Sequence, residues 1–203
     1  MAKRSTKDAM KTRMRILASA VELFYKKGYE HTTFTDIAQR LKMTKGAVYW
    51  HFESKESLLR TIVEEALCCF GKVIGDVSGE RLSFRVISAK MVDRAVEIVQ
   101  DPRETQLMVL LKKRIPWNHA SLQDYREELV RRDVGCVAAF RAAVENDISE
   151  GRVRKDADPN KIAAAAFALW DSLVDAEINK FLNCDLRETL ECAYDAIWKS
   201  ITV

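Results

Sequence analysis

Apolar residues recur along this chain at three- and four-residue spacing, in segments separated by short polar intervals, which is the signature of amphipathic helices. Ile16, Leu17, Ala20, Val21 and Phe24 form the first stripe. Lys26, Lys27 and Gly28 end it, because cations suit a helix's negative end and glycine readily takes the left-handed conformation that closes one. Phe34, Ile37, Ala38 and Leu41 form a second, shorter stripe. Thr33 precedes it as N-cap, with Asp36 three positions on as the capping-box partner. A third segment opens after another N-cap candidate, Thr44, and can seat itself through Ala47, Val48 and Phe52. A fourth runs from Lys55 to about residue 74, carrying Leu58, Leu59, Ile62, Val63, Ala66, Leu67 and Phe70.

Beyond Gly79 the spacing predicts five more helices. One spans 81–100 and stops at Asp101-Pro102, an N-cap followed by proline at the first helical position; the next stops at Pro116. A long one covers about 121–149 and ends at Gly151. Asp158-Pro159 opens another to about 182, and Asp185 with Glu188 caps the last, 186–200. Only 7 glycines and 3 prolines in 203 residues leave few turns, favouring long helices over a many-stranded sheet. An all-α protein is expected, with one domain at 1–54 and a second at 55–203 joined by the 55–74 helix.

Composition changes the picture chiefly through where the charge lies. Positions 1–60 hold 13 lysines and arginines against 6 acids, whereas the remainder holds 20 against 24. A positive head on a slightly negative body is the electrostatic footprint of phosphate binding confined to the N-terminal domain. Lys3, Arg4 and Lys7 could extend that head as an arm along DNA, or form a disordered basic tail. There is no run of about 18 apolar residues and no apolar core to a leader in MAKRSTKDAMK, so a cytoplasmic location without membrane contact is expected.

The segments at 33–41 and 44–52 are two short helices joined by about three residues, the spacing of a helix-turn-helix. In such units the second helix enters the major groove of double-stranded DNA with its N-terminal residues at base edges. Lys45 can donate to guanine or phosphate, while Gly46 and Ala47 leave a flat surface for close approach. Tyr49, Trp50 and His51 supply phosphate-positioning donors. Lys55, at the start of the next helix, could share a phosphate with that helix's first N–H groups.

The stretch TKGAVYWHFESKESLL at 44–59 resembles the recognition and linker helices of the TetR family of bacterial repressors, and its Y-W-H-F run and F-x-S-K-E-x-L continuation resemble the AcrR-like, multidrug-responsive branch. The resemblance covers about residues 10–65. It implies base or backbone contacts from Thr35, Lys45, Gly46, Ala47, Tyr49, Trp50 and His51, and phosphate contacts from Lys55, Thr33 and Thr44. Lys42 departs from it, standing in the turn where the family often has glycine. Lysine there costs on the order of 1 kcal/mol if the turn needs positive φ.

The last two helical patterns are apolar through much of their circumference, so each is expected to be buried on more than one side. Trp170, Leu173, Val174, Ile178, Leu190, Tyr194, Ile197 and Trp198 are the candidate surface of a four-helix interface between two copies, with a filled internal core as the other reading. TetR-like proteins dimerise through their last two long helices, which the resemblance implies here. A two-fold dimer suits a palindromic operator because its recognition helices, about 34 Å apart, meet successive major grooves. Phe84, Met91, Met108, Trp117, Phe140 and Phe167 are candidate walls of an apolar cavity for a small hydrophobic effector, or simply core.

His31, His51 and His119 show no ligand spacing, and Cys68, Cys69, Cys136, Cys184 and Cys192 match no zinc or redox motif. No metal, cofactor or catalytic set is expected, although a thiol sensor at Cys68-Cys69 is conceivable. The reading is a homodimeric DNA-binding repressor relieved by a small hydrophobic ligand. The alternatives are a regulator controlled by a protein partner or by cysteine oxidation, and an enzyme whose helix pair is structural.

Overall fold

A computed structural model describes residues 6–75, 81–118 and 122–202. Lys3, Arg4, Gly79 and His119 lie outside them, as do the side chains of Leu67, Cys68, Cys69 and Phe70. The elements in chain order are α1 (Thr6–Lys27), α2 (Phe34–Leu41), α3 (Lys45–His51), α4 (Lys55–Gly75), α5 (Phe84–Gln100), α6 (Pro102–Val109), a π-helical turn (Leu110–Arg114), α7 (Gln123–Ser149), α8 (Pro159–Ile178) and α9 (Leu186–Ile201). Among the described residues there is no strand, only an isolated antiparallel bridge between Val153 and Thr202.

Helix ends follow the local chemistry. Gly28, with φ +86, terminates α1 by donating to the Phe24 carbonyl at 2.9 Å. The Asp158 carboxylate accepts from Asn160 and Lys161 N–H groups at the start of α8, and Asp185 accepts from Glu188 N–H at 2.9 Å at the start of α9. Two expectations are corrected. The helix after Pro102 is not regular to Pro116: it widens into the π turn at Leu110, a change that apolar spacing at Leu110, Leu111 and Ile115 does not encode. The α8 helix stops at Ile178 instead of about 182, because Lys180 adopts a left-handed conformation with φ +59. Beyond it, Phe181 N–H returns to the Ala176 carbonyl at 2.8 Å.

The chain divides into two compact units. The first comprises residues 1–68 and 106–127, and so contains α1–α3 together with most of α4, the end of α6, the π turn and the start of α7. Its core is built from the stripes already described: Ile16, Ala20 and Phe24 from α1, Ile37 from α2, Val48 from α3, and Leu58 and Ile62 from α4 are all fully buried. Near the start of α7, Tyr125 OH donates to Glu64 and receives Arg60 Nε at 3.4 Å.

The second unit comprises 69–105 and 128–203, with α5, α8 and α9 packed on one another. Phe84, Phe140 and Tyr194 form an aromatic cluster with centroid separations of 5.6–6.1 Å. Four residues expected at an interface between copies are corrected by this packing. Trp170, Val174, Leu190 and Tyr194 are buried by the protomer's own helices, and the Trp170 indole donates to the Met91 carbonyl at 2.7 Å. Leu173, Ile178, Ile197 and Trp198 stay half-buried, with Ile197 and Trp198 packed on Val153, Ala157 and Ile201. Val86, Val130, Leu169 and Phe181, which spacing did not single out, are the exposed large hydrophobics among the described residues of this unit.

The six expected cavity walls are divided between the two units. Met108 and Trp117 belong to the first unit and the other four to the second. Phe84, Met91, Met108 and Phe140 are buried; Trp117 donates to the Leu111 carbonyl at 2.6 Å, and Phe167 stacks on Trp170. Phe84 lines a cleft of about 360 Å³ between α5 and α9, together with Ser88, Val92, Tyr194 and Trp198. Arg85–Asp195 (3.1 Å) and Arg187–Asp93 (2.8 Å) pairs bridge its rim.

Candidate nucleic-acid interface

The α2–turn–α3 unit is held by its own polar groups. The Thr33 hydroxyl accepts from Asp36 N–H at 3.2 Å while Thr33 N–H and O–H both donate to Asp36 Oδ2, at 2.8 and 2.5 Å, completing a capping box. Those bonds, with Lys27 Nζ at 3.1 Å, hold the Asp36 carboxyl down at about 2. Thr33 therefore has neither donor left for a phosphate, which corrects its expected role. Thr44 differs: its hydroxyl oxygen accepts from Ala47 N–H at 3.2 Å, and that bond leaves the hydroxyl hydrogen for an outside acceptor. Lys42 sits in the turn at φ +53, ψ +45, and Met43 N–H closes the end of α2 on the Ala38 carbonyl at 2.9 Å. The turn does need the conformation glycine favours, and lysine occupies it.

A depressed carboxyl ties stability to acid. Asp36 is less readily protonated in the folded chain than in the unfolded one, so its contribution is complete above the ordinary carboxyl range near 3.8 and is lost as pH falls toward about 2. Acid unfolding of wild type should therefore include a component in that window. It should be missing in Asp36→Asn when both are followed by circular dichroism; superimposable acid profiles would refute it.

Helix α3 is only seven residues long and has one buried side, made by Val48 and followed by Phe52 at the cap. Facing away from it, Lys45, Gly46, Tyr49 and Trp50 are exposed, Trp50 by 73%. Tyr49 is braced edge-on by Phe34 at 4.9 Å, and Lys45 Nζ lies 5.6 Å from the Tyr49 ring. The His51 ring stands edge-on to Trp50 at 4.6 Å; Ala47 and His51 are half-buried. Thr35 is exposed in the first turn of α2. Nothing inside the protein requires glycine at 46. Its φ is not positive, and an added Cβ would meet only Thr44 Oγ1, at 3.9 Å.

Lys55 is placed differently from its expected role. Its ammonium donates to the Tyr29 carbonyl at 3.0 Å and the Glu30 carbonyl at 3.4 Å, and lies 4.2 Å from the Tyr29 ring centroid. Burial, then the charges of Glu56 and Glu30, push the Tyr29 phenol up to about 12, so the lysine sits over a neutral ring. Lys55 is first a clamp between the α1–α2 connection and α4, with one N–H left over. Arg13 was missed by spacing altogether: from α1 it donates to the His51 carbonyl at 2.8 Å.

Exposed aromatic and cationic groups on a short braced helix, with no group of three or more His, Cys, Asp or Glu able to hold a metal among the described residues, present donors to an external polyanion. No helix among them is long and apolar enough to cross a membrane. The sequence profile described as "Bacterial regulatory proteins, tetR family" matches residues 16–62, the span of these helices. The chain is 24% identical over 176 residues to the HTH-type transcriptional regulator TtgR of Pseudomonas putida, covering 86% of this chain and 83% of that one. Its fold is similar to the crystal structure of NalD, the secondary repressor of the MexAB-OprM multidrug efflux pump in Pseudomonas aeruginosa, with TM-score 0.75 at 21% identity over 97% of this chain and 98% of that one. It is also similar to the SmeT–triclosan complex, SmeT being a Stenotrophomonas maltophilia repressor, with TM-score 0.72 at 24% identity over 95% and 92% of the two chains.

Proposed function

Because the chain belongs to the TetR family of bacterial regulatory proteins, in its AcrR-like branch, we propose that it is a homodimeric repressor that leaves a palindromic operator when a small hydrophobic ligand binds. The observation that carries the DNA-binding half is the exposed Lys45–Gly46–Tyr49–Trp50 face of α3, backed by a fully buried Val48. Lys45 reads bases or phosphate at the helix N-terminus; Tyr49 and Trp50 fix register on the backbone.

The second unit supplies dimerisation and ligand response. Leu169 and Leu173 on α8, flanked by exposed Ala165 and Ala168, and exposed Cys192 and Ala196 on α9 are the surface offered to a second copy. Helix α4 runs from the first unit into the second, so a ligand held in the second can bias the helix that carries the head. That requires only a ligand with better affinity for the conformation of the wrong head spacing, by about 1–3 kcal/mol. The triclosan complex of the similar SmeT supports an apolar effector class.

Light scattering with operator titration tests this reading. The expected result is a dimer in solution, two protomers or a multiple of two per operator, and at least one hydrophobic compound from a panel that lowers operator affinity by about tenfold. Leu169→Glu should shift the chain toward monomers. A monomeric wild type would remove the symmetric switch, and a dimer indifferent to every compound would favour control by a protein partner.

A further inference from the structure

Helix α3 is too short to be stable by itself, and its last carbonyls lack partners within the helix. Phe52 N–H closes one turn on the Val48 carbonyl at 3.0 Å. The carbonyl of His51, the last helical residue, is taken by Arg13 Nη1 at 2.8 Å, from 38 residues earlier in the chain. The same guanidinium carbon lies 4.1 Å from the centroid of the buried Phe52 ring. Arg13 thus does two things at once: it places a cation at the negative end of α3 and sets its guanidinium over the aromatic residue that roots that end in the core. A planar fork can stack and donate sideways together, which a lysine ammonium cannot do equally well.

Its surroundings separate Arg13 from the other cations of α1. Lys7, Lys11 and Arg15 are exposed, as expected of a solvated or phosphate-facing flank, whereas Arg13 is half-buried and directed at α3. We propose that Arg13 is a positioning residue for operator recognition: it holds the C-terminal turn of α3, and with it the Tyr49–Trp50 face, at the angle that base reading needs. The inference rests on the DNA-binding function proposed above. Without Arg13, the last turn of α3 frays and the specific complex weakens. The basic flank still attracts any duplex through phosphate charge, so nonspecific binding persists.

Arg13→Met keeps a long stem over Phe52 and removes the donors; Arg13→Lys keeps charge and a donor without the fork. Affinity for an operator selected from random duplexes and for a scrambled duplex is measured over a salt series, alongside thermal unfolding and amide hydrogen exchange. For Arg13→Met the expected result is an operator affinity lower by about tenfold or more, a scrambled-duplex affinity within about twofold of wild type, and a salt slope changed by less than about half a unit. The Phe52 amide should exchange about tenfold faster, and Arg13→Lys should recover part of the operator affinity. Equal losses on both duplexes with a slope lower by about one unit would make Arg13 a phosphate ligand and overturn the proposal. Unchanged operator affinity in both variants would overturn it alone, while a wild-type chain that selects no sequence would overturn the DNA-binding function as well.

Discussion

Lys45→Glu should lower operator affinity by about a hundredfold, or about 2.7 kcal/mol, while leaving the protein as stable as before. Lys45 is the first residue of α3, where the helix dipole favours a negative side chain over a positive one by a few tenths of a kcal/mol, up to ~1. Its ammonium is exposed and has the Tyr49 ring as a neighbour at 5.6 Å, so little internal structure depends on it. Helix physics therefore tolerates or prefers glutamate, and only a polyanion facing that surface objects. Gly46→Ala sharpens the same contrast. A helix-interior glycine is less favourable than alanine by about 0.8–1.0 kcal/mol. The added Cβ would meet an ordinary contact at 3.9 Å. The variant should unfold at a temperature equal to or above wild type yet bind operator more weakly, because the methyl group occupies space through which α3 approaches the bases. Electrophoretic mobility shift and calorimetric melting read the two quantities separately. Parallel changes in both would return Lys45 and Gly46 to a purely structural role.

The largest stability effect should come from Asp147, a charged side chain with no exposed surface, on α7. One carboxylate oxygen accepts from Phe84 N–H at 2.8 Å, satisfying an orphan donor at the start of α5. The other takes Arg152 Nε at 2.7 Å and Nη2 at 2.6 Å. Val153 N–H bonds the Asp147 carbonyl, and Val153 bridges to Thr202, so the same point secures the end of the chain to the α7–α8 connection. Removing the carboxylate leaves the buried Phe84 N–H without its acceptor and the Arg152 guanidinium with Glu150 as an acceptor in place of two. Breaking such a pair costs about 3–5 kcal/mol. The low end applies because the Arg152 side chain, 39% exposed, can rehydrate. Asp147→Ala should then lower the melting temperature by roughly 6–12 °C. The control is Asp156→Ala, which breaks a pair with Arg154 in which the carboxylate is 81% exposed. It should change little, because an ion pair in water contributes little. Equal melting temperatures for the two variants would refute this account of the second unit.

Local chemistry made much of this legible in the chain. Threonine caps, the lysine pair before Gly28, and Asp-Pro and Asp185 starts act within three or four residues, and they delimit α1, α2, α3, α8 and α9 because nothing distant competes with them. Contacts made across long separations were not legible. Lys55 and Arg13 are donors whose acceptors no spacing names, and folding gave them the Tyr29 and Glu30 carbonyls and the His51 carbonyl. Apolar spacing says that a side is buried and leaves open against what. Trp170 and Tyr194 read as interface, with interior as the other reading, until the Trp170 indole is seen bonded to Met91 within the protomer. Leu169, four residues before Leu173, and Phe181, past the end of α8, are among the residues left uncovered, which apolar spacing by itself does not distinguish from covered ones. The π turn escaped for a related reason, since one extra residue in a turn leaves Leu110, Leu111 and Ile115 at spacings an ordinary helix also allows.

The central claim is that two copies of α3 read double-stranded DNA symmetrically. Selection of bound fragments from random duplexes by the purified full chain tests it most directly. The account predicts enrichment of an inverted repeat whose half-site centres lie one helical turn, about 34 Å, or a small multiple of that apart, with the enrichment lost in Lys45→Glu. No enriched sequence, or an asymmetric one retained by Lys45→Glu, would contradict it.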